Sequence, residues 1–238
     1  MMRLLLLASA FALTSSLAWA AGYDRTEQTK LYTLRLRVPE AALAIPALKA
    51  EIMARWKKDS DGLKSEAADD KDADPSFHPF MLDTNWRMTF ESADVISLSA
   101  DSFIDENGAH PNGAFDSIVW DKKMSRAIPF EDLFVPGQRK AAFRAIAASA
   151  RKTWTAIMTK RAGETPVPGM VDDGIGADPK KLGHYALIYA KGDSRPNGIV
   201  LLYGAGEIWP HAAGDFRLVM PVAVFRAYLT PEWKARFD

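Results

Sequence analysis

Two short stretches hold the side chains best suited to chemistry. They are Gly108-Ala109-His110-Pro111-Asn112-Gly113 and, much later, Gly206-Glu207-Ile208-Trp209-Pro210-His211-Ala212-Ala213-Gly214. Each sets a histidine beside a proline between glycines, where a strand pattern stops. An imidazole can ligate a metal, carry a proton or bond a ligand. Zinc takes three or four N, O or S ligands. The chain has no cysteine, no His-x-x-x-His or His-Glu-x-x-His spacing, and His78 and His184 stand alone, so no metal and no cofactor are expected. Asp101, Asp105 and Asn107, and separately Asp172-Asp173-Gly174 with Asp178, lack the alternating spacing of a calcium loop and read as turn chemistry.

Hydrolase signatures are missing. There is no Gly-x-Ser-x-Gly elbow and no glycine-rich phosphate loop ending in Lys-Ser/Thr, so no catalytic residue is assigned. Carboxylates are plentiful, and a glycosidase-type pair stays open because none is singled out. Trp86, Trp120, Trp154 and Trp209 could stack on sugar rings. Trp154 falls on the apolar face of a helix and reads as core, while Trp209, next to Pro210 in a turn, is the one expected to be exposed. Two readings of the turns remain. Each histidine ties down its own turn through a backbone carbonyl, or His110, Pro111, Asn112, Trp209, Pro210 and His211 form one ligand-binding face on rigidly held loops.

The elements that must position those turns follow from periodicity. Leu31 to Val38 alternates as a strand, ended by Pro39. A helix follows with Pro46 in its first turn and Ile45, Leu48, Ile52 and Trp56 on one face. Asp59 to Asp74 reads as a solvated charged loop, with an acidic docking loop for a basic partner as the other reading. Phe80 to Phe90 and Val95 to Ile104 are strands joined by a turn at Glu91-Ser92-Ala93-Asp94, and Phe115 to Trp120 is a further strand. Pro129 to Phe134 makes one helical turn. The longest helix starts after Pro136-Gly137, buries Phe143, Ile146, Ala147, Ala150, Trp154, Ile157 and Met158, and is capped by Gly163. A loop rich in proline and glycine leads to strands Tyr185 to Tyr189, Ile199 to Tyr203 and Phe216 to Met220. Pro221 opens a short helix with Val224, Phe225, Tyr228 and Leu229, and Pro231 to Phe237 adds a last turn.

This order predicts an α+β fold of mainly antiparallel sheets, with one long and several short helices, in two small packed subdomains. The expected division is a leader over 1–20, a small α+β domain over 21–107 and a second over 108–238. Arg3, the apolar run from Leu4 to Leu13 and Ala18-Trp19-Ala20 read as a signal peptide cleaved after Ala20. The run is shorter than the roughly 20 apolar residues of a membrane span. No cysteine follows it, so a lipid anchor is not expected. The chain is therefore read as exported, periplasmic or secreted. Thirty basic residues balance thirty acidic ones, which argues against nucleic acid or an anionic membrane as partner.

The ordering strand, Gly-Ala-His-Pro-Asn, strand, Pro-Phe-Glu-Asp-Leu-Phe turn, long helix, and the close Phe216-Arg217-Leu218-Val219-Met220-Pro221 plus a short helix, resembles a known family. It is similar to the RsiV-like C-terminal domain of unknown function with its companion small α+β N-terminal domain, as in the extracytoplasmic regions of RsiV and PdaC. The likeness spans Tyr23 to Asp238. It implies an envelope setting and a capacity to bind lysozyme. Such sensors also carry a sigma-binding segment and a membrane span, and such enzymes a zinc deacetylase domain; neither is found here. The resulting expectation is an exported, non-enzymatic binding module of the cell envelope that recognises lysozyme or peptidoglycan. The alternatives are a cell-wall glycan hydrolase using a carboxylate pair, or an envelope assembly or chaperone-like component acting through an exposed sheet edge.

Overall fold

Alternation in Tyr32–Val38 sets the first layer: Leu34, Leu36 and Val38 are buried while Arg35 is exposed. The computed structural model describes residues 22–71, 77–163, 166, 171, 174–189 and 194–237. The expected signal peptide and the Asp172-Asp173 pair lie outside these residues. Strand β1 (Tyr23–Gln28) pairs antiparallel with β2 (Tyr32–Val38). The chain then passes through α1 (Glu40–Leu43) and α2 (Pro46–Asp70) and enters β3 (Phe80–Glu91), parallel to β2. A parallel neighbour needs such a crossover. Strands β4 (Val95–Asp105), β5 (Asn112–Asp121) and β6 (Arg126–Ala127) continue antiparallel, giving a six-stranded sheet in the order β1-β2-β3-β4-β5-β6.

Helix α2 covers one face of this sheet. Leu48 and Ile52 pack with Leu36, Val38, Trp86, Ile96, Leu98, Ile118 and Trp120. Leu63 and Ala67 pack with Leu34, Phe80 and Leu82. The segment from Asp59, expected to be a loop, is therefore helical as far as Asp70. Its buried residues Ser60, Leu63 and Ala67 carry on the spacing of Leu48 and Ile52, and that stripe outweighs the surrounding charge. Charges pair along the helix, the half-buried Glu51 with Arg55 and the exposed Lys57 with Asp61.

After β6, helix α3 (Arg139–Ala162) ends at Gly163, which adopts φ 76 and donates its N–H to Thr159 O at 2.9 Å. Strands β7 (His184–Ile188), β8 (Gly198–Tyr203) and β9 (Phe216–Pro221) form a three-stranded antiparallel sheet. Residues Phe143, Ile146, Ala150, Trp154 and Met158 of α3 pack against Leu187, Ile199, Leu201, Phe216, Leu218 and Met220 of that sheet. The same cluster takes in Phe90, Val95 and Val119 from the second face of the six-stranded sheet. On the other face of the small sheet, Ala186, Val200 and Leu202 meet Phe115. The layers are α2, large sheet, small sheet and α3.

The fold is α+β with mainly antiparallel sheets, and two of its helices are long, with 25 and 24 residues. The division at 107/108 falls inside the β4–β5 hairpin. Strand β1 has no apolar alternation to announce it; its charged side chains suit an edge that must not pair with another chain. The segment after Pro221, expected as a short helix, is a pair of 3₁₀ turns over Val222–Val224 and Arg226–Tyr228, docked by a bridge between Phe134 and Leu229. Helix α4 (Pro231–Arg236) closes the chain, with Thr230 accepting from Trp233 N. No helix among the described residues is long and apolar enough to cross a membrane.

Candidate functional site

The first turn joins β4 to β5. Asn107 sits at φ 59, a left-handed conformation that asparagine tolerates. Its side-chain amide donates to His78 O at 3.0 Å and accepts from His78 N at 3.2 Å, which fastens the approach to β3. Asp105 accepts from Asn107 N at 3.3 Å. These oxygens serve turn geometry, as their spacing suggests. His110, Pro111 and Asn112 follow, all exposed. His110 Nδ1 lies 3.2 Å from Pro111 O, a bond within its own turn.

The second turn leaves β8 through Gly204. Gly206 takes φ 90 and Gly214 φ 74, regions open to glycine. Between them Ile208 is buried, and Trp209 sets its ring against Trp154 with centroids 5.1 Å apart at 61°. Trp209 is thus half-buried on the core, not the exposed ring its place in the sequence suggests. His211 to Ala213 forms a 3₁₀ turn. Arg161, near the end of α3, donates to Ala213 O at 2.7 Å and lies over the Phe216 ring at 4.9 Å.

The two turns meet. The His110 and His211 rings stack with centroids 3.8 Å apart and an interplanar angle of 20°. Backbone also meets backbone: a Cβ placed on Gly204 would lie 2.8 Å from Gly113 O. Among the described residues His211 makes no carbonyl bond of the kind His110 makes, and its buried Nε2 has no hydrogen-bond partner. Stacked rings point their nitrogens sideways, in the ring planes, so the pair does not converge on one ion. Among the described residues no group of three or more His, Asp or Glu could hold a metal ion. The arrangement offers a mixed surface: two imidazoles in contact, Pro111 and Pro210 beside them, and the Asn112 amide.

Sequence reasoning picked out the turns but not what joins them. Asn107, Arg161 and Gly204 hold the geometry and were not singled out for it. Only the left-handed turn chemistry of Asn107 and the small size of Gly204 carried a trace of their roles. His184 does not stand alone, since its Nδ1 lies 3.6 Å from Asp116 Oδ1, which also takes Arg55 Nη1 at 2.7 Å.

No family model matches the sequence, and no curated protein does. Solved structures do. A DUF3298 family protein from Pseudomonas aeruginosa PAO1 superposes with a TM-score of 0.58 at 13% identity, covering 90% of this chain and 94% of that one. A DUF3298 member from Bacteroides fragilis NCTC 9343 gives 0.55, also at 13% identity, over 90% and 95%. At this identity the likeness concerns the fold, and the chain has the α+β fold of these DUF3298 proteins.

Proposed function

We propose that this chain is an exported, non-enzymatic binding module of the cell envelope. Its binding face is the joined pair of turns around His110, Pro111, Asn112, Pro210 and His211, with Trp209 bracing the face from beneath. The ligand is a lysozyme-type protein or peptidoglycan, the class implied by the resemblance to RsiV-like domains. One observation carries the reading: the His110–His211 stack makes a single surface from turns that lie far apart in the chain. Pre-organised loops of this kind lose little entropy on binding.

The test is calorimetric titration of residues 21–238 with a panel of lysozymes and with soluble peptidoglycan fragments. A Kd near or below roughly 1 μM marks a specific interface. His110→Ala then weakens it at least tenfold. Absence of heat with every lysozyme and every fragment ends this reading.

A further inference from the structure

Beside the first turn, the open part of the large sheet carries a groove of 410 Å³, within the range of small-ligand sites. Its floor is the strand face opposite α2. Arg37 comes from β2, Asp83, Asn85 and Arg87 from β3, and Asp101 and Phe103 from β4. Pro111, Asn112 and Gly113 form its end. Register explains the gathering: Asn85 pairs with both Arg37 and Asp101, and Asp83 pairs with Phe103, so all six point to one side.

The polar groups are held firmly. Arg37 Nη2 donates to Asp83 Oδ1 at 2.6 Å, and Arg35 Nη1 lies 3.4 Å from the other oxygen. Asp101 accepts from Arg87 and from Arg217, the latter reaching across from β9. Asn85 is buried, and with its amide oxygen turned to Arg87 it accepts from Nε at 3.2 Å and Nη2 at 2.9 Å. A carboxylate offers about four lone-pair directions, so each keeps acceptor capacity after binding its arginines. Arg37 Nε has no partner. Phe103 lies 45% exposed in the same groove, a large apolar ring open to solvent on part of its surface.

We infer that this groove binds a neutral pyranose unit of a glycan, with Phe103 under the sugar ring and Asp83, Asp101 and Asn112 bonding its hydroxyls. Fixed planar donors and acceptors beside one exposed aromatic face match a ring that has an apolar C–H face and a rim of hydroxyls. The lining carries two guanidiniums, Arg37 and Arg87, and two carboxylates, Asp83 and Asp101; Arg35 and Arg217 add two further guanidiniums bonded to those carboxylates, so an anion is the competing ligand that the polyphosphate control tests. The inference rests on reading the chain as a binding module, and it assigns a glycan contact that adjoins the histidine face, sharing Pro111 and Asn112 with it but not His110 or His211.

The probe is chitotetraose, with maltotetraose alongside and polyphosphate as the anionic control, followed by amide chemical shifts of the uniformly labelled chain. Either oligosaccharide binds saturably, with Kd of about 1 mM or tighter, and shifts residues 83–87, 101–103 and 111–113. Phe103→Ala weakens this at least tenfold, while Val219→Ala, an equally exposed apolar residue on β9, leaves it within twofold. His110→Ala also leaves it within twofold while weakening lysozyme or peptidoglycan, which separates this site from the proposed face. No saturable shift with either sugar, shifts away from the groove, sugar binding unchanged in a folded Phe103→Ala, or polyphosphate binding there more tightly than sugar each overturns the inference. Sugar binding without any lysozyme or peptidoglycan binding leaves the groove standing and removes the histidine face.

Discussion

Leu187 donates its backbone N–H to Ser97 Oγ at 2.9 Å, from the edge of the small sheet into the face of the large one. Ser97 is fully buried and also accepts from Thr89 Oγ1 at 2.9 Å. An edge strand normally shows such a group to water; here the neighbouring sheet satisfies it. Ser97→Ala strands that N–H in the interior. The expected loss is about 1–3 kcal/mol in urea-induced unfolding, the cost of a buried unpaired donor, with an unchanged denaturant slope. A loss under about 0.5 kcal/mol would show that the sheets shift to let water in.

Gly204→Ala probes the joint between the turns. The added methyl meets Gly113 O, which is backbone and cannot rotate away. Overpacking of this kind costs about 1–3 kcal/mol. Histidine side-chain resonances should show His110 and His211 losing their mutual ring-current shifts, while resonances of α2 stay in place. Unchanged histidine shifts would mean that the stack does not depend on the close backbone approach.

Gly62→Ala acts in the opposite direction. Gly62 lies exposed within α2, and a Cβ there meets nothing within 4 Å. Alanine in a helix interior is favoured over glycine by about 0.5–1 kcal/mol, so thermal unfolding should move upward. In a loop the same change gives no helical gain. The sign of the shift therefore tests the course of the chain over the acidic segment directly.

Alkaline pH should unfold the protein through two phenols. Burial holds the Tyr185 hydroxyl well above its ordinary value, with the charges of Asp132 and Glu131 adding to it. Tyr203 is raised the same way, by burial and then by Glu207. Tyr185 donates to Ile128 O at 2.6 Å and Tyr203 to Lys181 O at 3.2 Å. A raised value means the folded state keeps the proton that the unfolded state gives up. That stability is fully present below the unfolded phenol's value near 10 and is lost as pH climbs beyond it. Phenolate absorbance of these two groups should therefore appear together with unfolding. Early, reversible ionisation of both in the folded chain is the contrary result.

Much of the fold was legible in residue spacing. Phe143 to Met158 marked α3 and its buried face, and Gly163 marked its end, because a long amphipathic stripe and a left-handed cap both leave strong local traces. The continuation of α2 was obscured: Leu63 and Ala67 keep the stripe, but seven acids over Asp59–Asp74 dominate the composition. For the site, sequence identified the two histidine turns and could not show that they touch, since the stack depends on how two sheets lie together. Arg37, Asp83, Asn85, Arg87, Asp101 and Phe103 alternate along three strands, yet only strand order and register bring them to one groove.

The stack of His110 on His211 also bears on how the chain reaches its final state. One ring arrives with the large sheet and the other with the small sheet, after α3 and the loop that follows it. Closing so long a segment is slow compared with forming either hairpin. A partly folded chain holding only the large sheet therefore presents no joined face. If the joined turns are the binding face proposed above, ligand capture selects molecules that have finished folding and ignores intermediates.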